Sequence, residues 1–193
     1  RSFFMRSNLY AMTAGVLLAS SVAMAAQAQD AELTVSSTTW SASETVPMRS
    51  VYDGFGCTGG NRSPQLSWSE LPEGTQSLAV TIYDPDAPTG SGWWHWIAYN
   101  IPADTTAIEE GAGTAEGDAL PEGALQARND FGAHAYGGPC PPEGHDPHRY
   151  QVRVFALPME SLPVPEDASA ALIGFQLNAK ALAVGTLEAT FAR

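Results

Sequence analysis

Positive charge is what this chain has least of. Its 193 residues carry 9 Lys and Arg against 21 Asp and Glu, a net charge of −12, and Lys180 is the one lysine. Binding a nucleic-acid backbone needs a dense basic face, so nucleic acid is excluded as a partner class. Arg62, Arg128, Arg149 and Arg153 lie near Gly/Pro-rich stretches, which leaves room for a local cationic spot on an acidic body. Scarce lysine, together with 14 Pro and 18 Gly, predicts many turns and few long exposed helices.

Cysteine is nearly as scarce. Cys57 in "FGCTGGN" and Cys140 in "GGPCPP" permit one intramolecular disulfide or two free thiols. Several catalytic signatures are missing altogether: there is no G-x-S-x-G elbow, no P-loop and no H-E-x-x-H. Cys140 with His148 as its base is the remaining nucleophile arrangement, and it competes with the disulfide for the same thiol.

Long apolar runs are absent too. The longest, Ala11 to Val22, is too short for a permanent membrane span. It follows a basic residue, Arg6, and precedes Ala26-Gln27-Ala28, which fits A-x-A cleavage. Residues 1–28 therefore read as a signal peptide, with Met5 the better initiator, and 29–193 as a single domain. The expected location is periplasmic or secreted, where an oxidising environment favours the Cys57–Cys140 disulfide.

What is present is a succession of short apolar runs broken by turn residues. "LTVSSTTW" (33–40), "SLAVTIYD" (77–84), "WHWIAYNI" (94–101), "RYQVRVFAL" (149–157) and "TLEATFA" (186–192) predict strands. Segments apolar on both parities, such as "LAVTIY", predict burial on two faces, as in a sandwich. One helix is predicted over 168–182, with Ala168, Leu172, Phe175 and Leu182 at roughly helical spacing and Asp167 or Ser169 as its cap.

Three loops carry chemistry. "DGFGCTGGNRSPQLSW" is rich in glycine, which permits close backbone approach. In "YDPDAPTGSGWWHW", Asp84 ends a strand and is held there by Pro85 and Pro88, which suits a binding site; Asp86 is assigned to capping the turn. His95 follows on the parity of Ile97 and Tyr99, where it reads either as a core histidine or as a ligand. In "GHDPHRYQV", His148 and Tyr150 share a strand face and Arg149 points away. His145-x-x-His148 could be half of a metal site, with His95, His134 and Asp84 as further ligands, but no fixed spacing supports one, and no metal or cofactor is assigned.

"GGNRSPQLSW", "DPDAPTGSGWWHWIAYNIP" and "NDFGAHAYGGPCPPEGHDPHRYQVRVFAL", in that order, resemble the phosphatidylethanolamine-binding protein family. The match is closest to its bacterial Raf-kinase-inhibitor-like branch, and it covers Leu33 to Phe191. The resemblance implies a mostly β fold: a sandwich of two antiparallel sheets with a C-terminal helix and a small anion pocket at one end. The ligand expected is a small phosphate-like anion or a phosphorylated group, with a protein partner also in view. By this resemblance Asp84, Ala87, His95, Gly138, Pro141, His148 and Tyr150 form the pocket, with Pro142 beside it, and His145 matches no functional position. Asp84 is an anion beside an anion; it fits if it keeps a histidine protonated, or if a proton is shared with a ligand oxygen. Affinity would then strengthen as pH falls through about 6 to 7. The alternatives are a hydrolase built on His148 and Asp84, and an inhibitor of a protease or kinase.

Overall fold

The computed structural model describes residues 32–193. The expected signal peptide, 1–28, lies outside them. The chain order is β1 (Thr34–Ser36), β2 (Asp53–Gly54), β3 (Cys57–Thr58), β4 (Leu66–Ser69), β5 (Ser77–Asp84), β6 (Trp93–Pro102), β7 (Ala107–Ile108), β8 (Leu125–Gln126), β9 (His148–Leu157), α1 (Ala170–Lys180) and β10 (Ala183–Phe191). A five-stranded antiparallel sheet runs β10-β9-β5-β6-β8, and a three-stranded one runs β1-β4-β7. β2 and β3 form a separate ribbon.

The layers follow from which residues are apolar on which parity. Leu78, Val80 and Ile82 of β5 pack with Val152 and Val154 of β9 against Leu66 and Trp68 of β4, forming the core between the two sheets. Ala79, Ile97, Phe155 and Leu157 point the other way and pack under Ile173 and Leu177 of α1. The large sheet is therefore buried on both faces, and its central strand β5 is buried at every position but Tyr83. Full burial of each Val, Leu, Ile or Phe side chain is worth about 1.5–3 kcal/mol relative to exposure.

Three expectations are corrected. The first strand covers only Thr34–Ser36 rather than 33–40, because Ser37 turns the chain by accepting from the N–H groups of Thr39 and Trp40. The helix runs from Ala170 to Lys180, and Ser169 caps it by accepting from the N–H of Leu172 at 3.2 Å. Its buried face is Ala170, Ile173, Gly174 and Leu177, whereas Leu172 and Phe175 are exposed. Gly174 sets that face: a Cβ there would sit 2.7 Å from the Trp94 ring.

Cys57 and Cys140 form a disulfide with their Cα atoms 6.0 Å apart. It ties the β2–β3 ribbon to the loop before β9 across 83 residues of chain. In the chain-entropy picture a loop of that size is worth about 4.5 kcal/mol.

Candidate functional site

The prolines after Asp84 end β5, so its carboxylate stays at the strand end instead of entering a ladder. Asp84 Oδ1 accepts the N–H of Asp86 at 2.8 Å. Asp84, not Asp86, is thus the turn cap. Asp86 instead forms a two-pronged pair with Arg149: Arg149 Nε and Nη2 donate to its carboxylate at 2.9 and 2.7 Å, and the Arg149 backbone N–H adds a third bond. The hydrogen-bonded Arg149 side chain holds the Asp86 carboxyl down to about 2, and Asp86 in turn raises the guanidinium. Arg149 does point away from His148 and Tyr150, as strand alternation requires.

The other oxygen of Asp84, Oδ2, lies 2.7 Å from His148 Nδ1, with both side chains 4% exposed. A carboxylate only accepts, so Nδ1 carries the hydrogen. His148 Nε2 is 3.2 Å from Nδ1 of the exposed His145. His145 thus touches the site through His148, although sequence reasoning set it aside in a variable loop. Both nitrogens of His148 are engaged inside the protein.

His95 reaches the site by a different device. Ile82 pairs with Trp96 and Tyr83 with Trp94, so His95 is the extra residue of a β-bulge in β6. The bulge breaks the parity expected from Ile97 and Tyr99, which belong to the helix-facing core. His95 turns instead toward Tyr150 and Phe131, its ring meeting theirs edge-on at 5.2 and 5.5 Å. Re-aiming a side chain is what bulges do beside binding sites. The His95 ring is held by Nδ1–H donating to Gly137 O at 2.6 Å, and burial lowers its pKa. Tyr150 is buried completely, and its pKa is raised by burial first and by Asp84 second.

Asp84, Ala87, His95, Pro141, His148 and Tyr150 surround a pocket of about 210 Å³. Pro142 is in the wall as well. Among the described residues, three buried side-chain polar atoms on residues of this pocket have no hydrogen-bond partner: Trp93 Nε1, His95 Nε2 and Tyr150 Oη. Gly138 is not in the wall, contrary to expectation. Its N–H donates to Asn61 Oδ1 at 2.8 Å, and a Cβ there would lie 2.0 Å from Ser50 O. Gly138 allows the loop to lie on the Ser50–Tyr52 backbone and leaves no donor for a ligand.

Sequence reasoning missed the aromatic part of the wall. Phe55, Trp93 and Phe131 line the mouth, with Tyr52 stacked on Phe131 at 4.1 Å. For Phe55 and Phe131 the only signals were "DGFG" and "NDFG", each a lone aromatic in a glycine loop, and neither indicates where its ring will point. Among the described residues no group of three or more His, Cys, Asp or Glu is placed to hold a metal, and His134 lies away from the pocket, bonded to Gln126 O.

Residues 36–192 match the family described as phosphatidylethanolamine-binding protein. The chain belongs to this family. It is 51% identical to YbcL of Escherichia coli over 164 residues, which covers 85% of this chain and 90% of that protein. It is 48% identical to E. coli YbhB over 146 residues, 76% of this chain and 91% of that one. The crystal structure of E. coli YbcL, described as a new member of the mammalian PEBP family, superposes with a TM-score of 0.82 at 50% identity, covering 84% of this chain and 99% of that one. A putative lipoprotein of Mycobacterium tuberculosis, LppC, is 36% identical over 138 residues, 69% of this chain and 64% of its own. The mostly β architecture with a C-terminal helix is thus the architecture of this family.

Proposed function

We propose that this family member is an exported binding protein whose pocket takes a phosphate-like anionic group. One observation carries the reading: Trp93 Nε1, His95 Nε2 and Tyr150 Oη are buried and unpartnered on residues lining one pocket. A buried polar group without a partner costs roughly 1–3 kcal/mol. Three of them around one small pocket argue for a polar ligand that completes them. The aromatic mouth at Phe55, Trp93 and Phe131 would hold the ligand's less polar portion.

Nothing favours the hydrolase alternative. Cys140 is committed to the disulfide, and His148 Nε2 faces His145 rather than a hydroxyl or thiol. Export is supported by the disulfide, which persists in oxidising compartments, and by the lipoprotein name of one relative. Mass spectrometry of the protein from a periplasmic extract should show the chain starting near Gln29. An unprocessed N-terminus on protein confined to the cytosol would overturn the location.

Amide NMR tests the ligand reading. Inorganic phosphate should shift signals around Asp84, His95, Phe131 and Tyr150. Tyr150→Phe should weaken binding roughly 10- to 150-fold, the equivalent of one hydrogen bond to a charged group. No shift with millimolar phosphate, or shifts confined to another face, would sink the proposal.

A further inference from the structure

α1 is apolar on both of its faces. Ala170, Ile173, Gly174 and Leu177 are buried against the rest of the fold. Leu172 and Phe175 lie on the opposite side, 38% and 67% exposed, and Leu182, just past the helix end, is 45% exposed. Ala171 and Ala179 are exposed beside them. Leu172, Phe175 and Leu182 are three of the six large apolar side chains exposed among the described residues, so this face concentrates them. From Ala170 to Ala179 the helix carries no charge. A surface helix turns a polar face to water, and one that is apolar all round belongs between two packed layers. The large sheet supplies one of those layers.

The ends of the helix are charged, and oppositely. Glu166 and Asp167 are exposed before its first turn, where they line a shallow basin with His134. Lys180, the one lysine of the chain, stands in the last turn. Among the described residues Glu166, Asp167 and Lys180 form no ion pair. Reversed, this pattern complements itself. Leu172 and Phe175 lie equally far from the midpoint between Ile173 and Gly174. So do Asp167 and Lys180, and so do the exposed Pro165 and Leu182. A second helix related by a two-fold axis at that midpoint sets Leu172 against Phe175, Lys180 against Asp167 and Glu166, and Leu182 against Pro165, each contact made twice. A uniformly basic partner would meet Lys180 with like charge, and a uniformly acidic one would meet Glu166 and Asp167 in the same way. An antiparallel copy satisfies both ends.

We propose that the outer face of α1 is the contact surface for a second copy of this chain, in an antiparallel two-fold pair. One face of an 11-residue helix is a small surface, and contacts that bury less than about 1,200 Å² are of the transient kind. Each copy also brings a net charge of −12. Salt screens that repulsion beyond about 8 Å at physiological ionic strength, while the uncharged stripe and the two crossed ion pairs act at contact. The product is a reversible dimer that dissociates on dilution.

Sedimentation equilibrium tests this at physiological salt, over micromolar to millimolar protein. The wild-type chain should pass from monomer to dimer and form nothing larger. Phe175→Asp changes an exposed side chain and should weaken the dimer at least about tenfold. A charge exchange is specific to a second copy. Lys180→Glu should weaken self-association by about fivefold or more, and so should Glu166→Lys combined with Asp167→Lys, because each sets like charges together twice. Mixed one to one, these two variants should recover wild-type association, since opposite charges then meet at both ends. That recovery also separates a lost contact from a lost fold, because a misfolded variant gains nothing from its complement. A wild type that stays monomeric at millimolar concentration would overturn the proposal, whether or not the face then takes up lipid vesicles or another protein. So would a dimer indifferent to Phe175→Asp, or a mixture that associates no more tightly than either variant alone.

Discussion

His148 Nδ1 and Asp84 Oδ2 are 2.7 Å apart, and each side chain is 4% exposed. Asp84 ends β5 and His148 begins β9, so this one bond joins two neighbouring strands at the pocket floor. Asp84→Asn keeps the shape and the Asp86 N–H contact but removes the charge from a buried hydrogen bond. It should lower stability by about 1.5–3 kcal/mol, read from urea midpoints. A midpoint unchanged from wild type would show that the charge contributes nothing to this junction.

The disulfide is a second tie at the same end of the sandwich, and Cys140 is itself in the pocket wall. Replacing both cysteines by serine should cost up to about 4.5 kcal/mol. Reductant should produce the same loss in the wild type and none in the double variant. A wild type indifferent to reductant under conditions that fully reduce it would contradict the assigned role.

Asp86 and Arg149 set a pH dependence that can be worked out in sign. The folded carboxyl titrates at about 2, and an unperturbed Asp titrates near 3.9. Its folded pKa is depressed, so its stabilising contribution is complete above about pH 4 and is lost as pH falls from there toward 2. Carboxyl ¹³C titration should give a midpoint about 2 for Asp86. Arg149→Gln should move it up toward the ordinary aspartate value. A midpoint that stays put in the variant would mean that something other than the guanidinium holds it down.

Gly138 and Gly144 lie six positions apart in the same loop yet should respond oppositely to a methyl group. A Cβ on Gly138 would meet Ser50 O at 2.0 Å, whereas one on Gly144 meets nothing within 4 Å. Gly138→Ala should destabilise by roughly 1–3 kcal/mol or more and disturb the pocket wall through Pro139 and Cys140. Gly144→Ala has only its left-handed backbone, φ +80°, to contend with, a cost of about 1–2 kcal/mol. Thermal melts of the two variants with phosphate present and absent would separate the effects: Gly144→Ala should keep its ligand-induced shift.

Much of this protein is written locally. The β5 run "SLAVTIYD" gives its strand end to end, because alternate residues are apolar on both parities and the prolines after Asp84 forbid extension. The pairing of His148 with Tyr150 on one face, and Arg149 on the other, follows from strand alternation alone. Ser169 was one of two caps that the sequence offered. Tertiary contacts decided the rest. α1 buries Ile173 and Leu177 rather than Leu172 and Phe175 because Gly174 admits the Trp94 ring, a packing fact with no local signature. Gly138 reads as a pocket glycine in sequence and proves to be a backbone contact, since its neighbour, Ser50, is 88 positions away. His95 shows the division most clearly. Its identity and its strand were legible, but period-2 alternation put it with Ile97; only pairing with β5 inserts the bulge that turns it to Tyr150. A bulge is a property of two strands in register, so no single segment can encode it alone.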